Sequence, residues 1–308
     1  MVILLDLYNR LSEYFKNRYG ERVQRLPINA GFTCPNKTGE RGKGGCIYCD
    51  LTGSGFAAFK PKVSIEEQVK EMINRYEKKA NKFLAYFQAN TNTYAPVDEL
   101  KEKYESALID DRIVGLDVST RPDCVPDEVI TLLKTFKDRV DVYVELGVES
   151  TNPNTLKYMN RGHSLAEVID SVNRLKKAEL EVILHYIIDF PCDTLEDVKE
   201  MAKVSSALKV DGVKLHSLYI VENTKLADLY KSGEFVPLTL DDFVERAITF
   251  LEYLDPKIVI HRLVADPPKI GTLHGNWGIS KIKILNLIEN TMRERGSYQG
   301  KYFNYLNN

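Results

Sequence analysis

No apolar run in this sequence approaches the 18 residues that a membrane-spanning helix needs. The opening stretch, MVILLDLYNRLSEYFKNRYG, lacks the basic start and long apolar core of a secretory signal. Neither a transmembrane helix nor a signal peptide is therefore expected. Charge of one sign is also missing: 42 Lys and Arg stand against 44 Asp and Glu, for a formal net charge of −2. Nothing in that balance suggests bulk electrostatic binding to nucleic acid, and a local basic patch stays open. Cysteine is scarce and odd in number, at five, and three of the five lie between residues 34 and 49. Such a distribution is no disulfide framework; it suits a reducing, cytoplasmic setting and a metal site. No low-complexity segment, no repeat of 20–50 residues and no Gly-, Ser- or Pro-rich linker divides the chain.

What is present is an alternation. Leu4 to Tyr19 has apolar residues at near-helical spacing and ends at Gly20, which predicts a leading amphipathic helix. Strands are predicted over 22–29, 82–88, 112–119, 140–148, 180–188 and 213–220. Helices are predicted over 63–79, 96–108, 126–136, 164–178 and 194–208. Ser64 with Glu67, and Thr194 with Asp197, read as capping boxes. Alternating strands and helices imply parallel βαβ units. Six strand–helix pairs up to about Gly233 fall short of a closed eight-stranded barrel, so the expected fold is an α/β, open, partial (βα)6 TIM-like barrel. The expected parts are an N-terminal helix (1–20), the barrel (21–235) and a C-terminal α/β extension (236–308) with a helix over 239–254, a strand over 257–264 and a helix over 280–295.

The stretch from Asn29 to Phe56 carries the chemistry. Cys34 and Cys46 are separated by eleven residues and Cys46 and Cys49 by two, with Gly39, Gly42, Gly44 and Gly45 between them. In α/β barrels, ligands bind on the loops that follow the strands, and this loop follows the first. Three thiolates suit zinc or an iron–sulfur cluster. A structural zinc site wants four closed ligands, and the loop holds no His. A four-iron cluster on three cysteines leaves one iron open to a chelating cofactor. Small buried hydrophobes are the ordinary reading of free cysteines, including Cys124 and Cys192.

Together, FTCPN, GGCIYC with Tyr48 before the last Cys, FQANTNTYAP, STRPDC, ELGVES, NRGHS and KLHSL resemble the radical S-adenosylmethionine (SAM) superfamily over roughly residues 20–235. The usual C-x3-C-x2-C spacing is here C-x11-C-x2-C, an expansion typical of a small bacterial subgroup similar to the catalytic subunit of Elongator. The resemblance implies a [4Fe-4S] cluster on Cys34, Cys46 and Cys49, SAM chelated to the fourth iron, and a 5′-deoxyadenosyl radical released by one electron. It also implies a one-electron donor such as flavodoxin or ferredoxin. Residues implied at SAM are Tyr48, Gln88, Asn90, Ser119, Glu149, Arg161 and His185. Period 2 puts Glu145 on the same strand face as Glu149. Asp189 to Cys192 (DFPC) stand where relatives often carry Gly-Leu-Pro-Gly. No residue is singled out as catalytic.

For substrate, the similarity to Elongator's catalytic subunit implies tRNA, with wobble uridine the leading expectation. Basic residues in the cysteine loop (Lys37, Arg41, Lys43) and near the end (Lys281, Lys283, Arg293, Arg295, Lys301), the latter interleaved with Tyr298, Tyr302, Phe303 and Tyr305, fit RNA. A solvated helix face and a tail packed on the barrel explain the same pattern. A radical SAM enzyme acting on a small metabolite or peptide and a non-catalytic zinc-binding adaptor are the alternatives.

Overall fold

A computed structural model describes residues 7–50, 52–53, 58 and 63–306. In chain order the first half comprises α1 (Leu11–Tyr19), β1 (Val23–Ile28), α2 (Pro35–Thr38), α3 (Ile65–Tyr76), β2 (Lys82–Phe87), α4 (Val97–Glu105), β3 (Ile113–Thr120), α5 (Asp127–Thr135) and β4 (Asp141–Glu149). The second half comprises α6 (Pro153–Tyr158), α7 (Leu165–Lys177), β5 (Glu181–Ile187), α8 (Leu195–Ala207), β6 (Gly212–His216), β7 (Ile220–Val221), α9 (Lys225–Ser232), α10 (Leu240–Tyr253), β8 (Val259–Arg262), β9 (Thr272–His274) and α11 (Lys281–Glu294). The strands form a seven-stranded parallel open half-barrel in the order β1-β2-β3-β4-β5-β6-β8, and β7 pairs antiparallel with β9. Pro27, which has no N–H to give, sits on β1 at the edge of the order.

By internal contacts the chain forms two compact units. One spans Ser12–Gly147 and Asn160–Ile183; the other spans Met1–Leu11, Val148–Met159 and Leu184–Asn308. In the first, alternate strand residues separate two faces. Leu26, Ile28, Phe83, Phe87, Leu116, Val118, Val144 and Leu146 are wholly buried apolar residues on one face. The other face holds polar groups paired as ions. Arg25 Nε lies 3.1 Å from Asp117 Oδ2, and its Nη2 lies 3.1 Å from Glu145 Oε1. The Ser119 hydroxyl lies 3.0 Å from Glu145 Oε2.

The helices start where the sequence marks them. Ser64 and Glu67 close a capping box on α3, Ser164 and Glu167 on α7, Thr194 and Asp197 on α8, and Thr239 and Asp242 on α10. In the second unit α8 and α10 pack on each other.

Four expectations are corrected. The leading helix begins at Leu11, because Arg10 pairs as a β-bridge with Ile260; the predicted positions Leu4 and Leu5 lie outside the described residues. The strand expected over 213–220 is two, since the Leu218 amide is taken by the Asp189 carboxylate instead of a sheet neighbour. The strand expected in the C-terminal extension, seen as β8, pairs in parallel with β6 and is the seventh strand of the sheet. Cys192 is exposed, not a buried hydrophobe, while Cys124 is buried.

Candidate functional site

Cys34 stands in extended conformation at the start of α2 and is buried. Helix α2 is one turn long, and its Pro35 carbonyl accepts the amides of Gly39 (3.1 Å), Glu40 (3.0 Å) and Arg41 (3.2 Å), which folds the loop back on itself. Cys46 is buried too, and the Cys49 amide donates to its carbonyl (3.1 Å). Half-buried Tyr48 lies in the turn between them. All three thiols are free. Burial pushes the Cys49 thiol up to about 12; Lys37 opposes this, and Cys46, Asp50 and Cys34 add to it. Among the described residues, however, no three His, Cys, Asp or Glu side chains gather at the spacing of a single metal ion.

Two buried guanidinium groups attend the cysteines. Arg161, implied at SAM, donates through Nη1 to Cys46 Sγ (3.5 Å) and through Nη2 to the Gly147 carbonyl (2.6 Å). Arg121, not singled out from sequence, is 2% exposed and forks onto Asp123 at 2.8 and 2.9 Å. Its Nη1 has no partner, and it interacts electrostatically with both Arg161 and Cys34. Asn36, not singled out from sequence, also donates to Cys46 Sγ, at 3.4 Å.

The other implied residues are placed as follows. Asn90 has a left-handed backbone (φ 61°); its Oδ1 accepts from Lys37 Nζ (3.0 Å) and its Nδ2 donates to the Phe32 carbonyl (3.0 Å). The half-buried Gln88 gives its amide to the Ile28 carbonyl at 3.3 Å. Ser119 lies beside Glu145 and Tyr86 on the polar sheet face. Cys34, Cys46, Cys49, Asn90, Ser119 and Arg161 all belong to the first unit. Glu149 and His185 belong to the second. Glu149 ends β4 at φ 69°, a left-handed conformation rare for a residue with a long side chain. The His185 ring lies 5.6 Å from that of His216.

The turn after β5, DFPCD, is held by a residue that the sequence did not point to. Arg246 of α10 donates through Nη1 to the Ile188 carbonyl (2.8 Å) and through Nη2 to the Asp193 carbonyl (2.5 Å). A lone arginine within the buried helix face Phe243, Val244, Ala247 and Ile248 was the available signal. Asp189 and Asp193 are buried in the same turn. Burial raises Asp189 to about 7 against the Leu218 amide bond, and raises Asp193 to about 6 against the hydroxyls of Thr155 and Ser150. Both folded-state values lie above the unfolded one, so the stability they contribute is full below about pH 4 and is lost as pH rises through about 6 to 7. Urea midpoints are expected to fall over that window, and the fall is expected to shrink in Asp189→Asn, whose amide oxygen still accepts from Leu218.

Comparison with known proteins decides the family. The radical SAM superfamily model matches residues 36–204, more than half the chain, and the radical SAM C-terminal domain matches 210–294. The chain belongs to the radical SAM superfamily. Among its relatives, the Bacillus subtilis protein YtqA is 36% identical over 301 residues, covering 97% of this chain and 94% of that one. The tRNA uridine(34) acetyltransferase of Methanocaldococcus infernus is 31% identical over 190 residues, covering 60% of this chain and 34% of that protein. The solved structure of Elp3 from the same archaeon shares the fold with a TM-score of 0.68 at 21% identity, covering 90% of this chain and 64% of that one.

Radical SAM enzymes use a [4Fe-4S] cluster and SAM. The residues present fit such a cluster. A four-iron cube takes each thiolate on a different iron, so the sulfurs sit wider than around one ion. A buried, unpartnered Arg121 Nη1 and two N–H groups aimed at Cys46 would be costly without negative charge nearby. A thiolate-ligated cluster supplies that charge.

Proposed function

We propose that this radical SAM enzyme modifies tRNA, with the wobble uridine as its target. The similarity to a tRNA uridine(34) acetyltransferase carries this reading, since it runs over 60% of the chain. The chain spans about a third of that protein, so the acetyl transfer in its name is not carried over. In the proposed site, Cys34, Cys46 and Cys49 would hold the cluster, and Gln88, Ser119, Glu149, Arg161 and His185 would face SAM. Tyr48 would shield the cluster from water, and Asn90 would fix the loop through Lys37 and Phe32. When bound, the cluster and SAM supply a 5′-deoxyadenosyl radical that removes hydrogen from substrate. The chain's part is to orient SAM, exclude water and keep the substrate carbon near the radical. A one-electron donor of the flavodoxin or ferredoxin type completes the system. No helix of the described residues is long and apolar enough to cross a membrane.

Support from surface charge is concentrated in the cysteine loop, where Arg41 and Lys43 are exposed. At the other end of the chain, Lys281 pairs with Asp266, Arg293 with Glu289, Arg295 with Glu245 and Lys301 with Glu252. There, the ring of Tyr298 is exposed, while that of Tyr302 packs on Tyr253 at 5.3 Å with Lys301 over it.

The test is a nucleoside profile of tRNA from cells with and without the gene, beside 5′-deoxyadenosine release from the anaerobic enzyme given bulk tRNA. One altered uridine in the profile, and release stimulated by tRNA, are expected. An unchanged profile, with release stimulated by a peptide or metabolite instead, would remove RNA as the substrate.

A further inference from the structure

The eleven-residue gap between Cys34 and Cys46 poses a physical problem. A long Gly-rich loop must bring its two ends to one place, and closing it costs entropy that grows with length. The structure shows how that cost is met. Asn36, wholly buried, donates through Nδ2 to the Asn160 carbonyl at 2.6 Å as well as to Cys46 Sγ. Its own carbonyl accepts the Gly45 amide at 2.9 Å. Asn160 answers from the segment between α6 and α7: its Nδ2 donates to the carbonyls of Lys43 (2.9 Å) and Gly45 (2.6 Å). Asn160 is left-handed at φ 55°, a conformation that asparagine tolerates better than most side chains.

Two glycines show how close the fit is. A Cβ on Gly162 would come within 2.7 Å of the Arg41 carbonyl, and one on Gly42 within 2.0 Å of Asn36 Oδ1. At Gly162 the segment therefore meets the loop backbone directly, and at Gly42 the loop folds tightly over the Asn36 side chain. Arg161, between Asn160 and Gly162, turns inward to Cys46.

We propose that Asn36 and Asn160 form a buckle that closes the expanded cysteine loop before a cluster is present, and that Asn36 also raises the cluster's reduction potential through Cys46. Both are positioning residues. The second half of the inference rests on the cluster reading above; the first does not. An N–H aimed at a ligating sulfur favours the more electron-rich, reduced state, so its removal lowers the potential.

The experiment has two arms. In the first, apoprotein is digested with a trace of trypsin, which cuts after exposed Arg41 and Lys43. Asn160→Gly keeps the left-handed backbone and deletes both side-chain bonds. Its loop is expected to be cut about tenfold faster than the wild type's, the factor that one to two net hydrogen bonds provide. Equal rates would overturn the buckle. In the second arm, reconstituted Asn36→Ala is titrated by EPR. Its midpoint is expected to lie about 59 mV below wild type, a tenfold change in the one-electron equilibrium. An unchanged midpoint would overturn the tuning role. Wild-type protein that takes up no iron or sulfide yet shows the trypsin difference would overturn the cluster reading and leave the buckle standing.

Discussion

Replacing Cys46 with alanine is expected to abolish both cluster uptake and reductive SAM cleavage. The sulfur is buried, takes N–H groups from Asn36 and Arg161, and ends the expanded loop. Alanine removes one of three thiolates and leaves two donors, one of them charged, without their acceptor. The loss of that acceptor costs roughly 1–3 kcal/mol in stability besides. Iron and acid-labile sulfide after anaerobic reconstitution should drop to background, and 5′-deoxyadenosine release should disappear. Cys34→Ala and Cys49→Ala should behave alike. Cys192→Ala, at an exposed position outside the loop, is the control and should keep full cluster content. A Cys46→Ala protein that retains wild-type iron and sulfide would refute the thiolate assignment.

Arg25→Met is expected to produce the largest loss of stability in the first unit. Asp117 and Glu145 have no solvent exposure, and Arg25 bonds to both. The cost of burying charge is tolerable only while each charge has its partner. Removing the guanidinium leaves two carboxylates facing each other in the sheet interior, which costs about 3–5 kcal/mol. The urea midpoint should fall accordingly. Adding Asp117→Asn and Glu145→Gln to Arg25→Met should recover most of the loss, because no uncompensated charge then remains in the sheet interior. A single variant as stable as wild type would show that the triad contributes nothing.

How far the sequence reached depends on the range of the forces involved. The strands and helices of the barrel were legible because hydrophobic period and capping boxes act within a few residues: Ser64 with Glu67 and Thr194 with Asp197 close as read. Where a distant partner intervened, the reading slipped. Leu218 leaves the strand because Asp189, 29 residues away, takes its amide. Arg10 joins Ile260 across the length of the chain and shortens the first helix. The period that paired Glu145 with Glu149 takes no account of Arg25, which claims the first, or of the left-handed turn at the second.

By itself the sequence determined the open parallel barrel, the three-cysteine loop after its first strand and the superfamily. Each depends on local periodicity or on the order of residues along one short stretch. The tertiary structure alone decided that a seventh strand completes the sheet, that Arg121 and Arg161 bury their charge beside the thiols, and that Asn36 and Asn160 clasp the loop. These features join residues dozens to more than a hundred positions apart, or draw on charges whose cost appears only once water is excluded. Neither separation in space nor desolvation is written in a one-dimensional pattern.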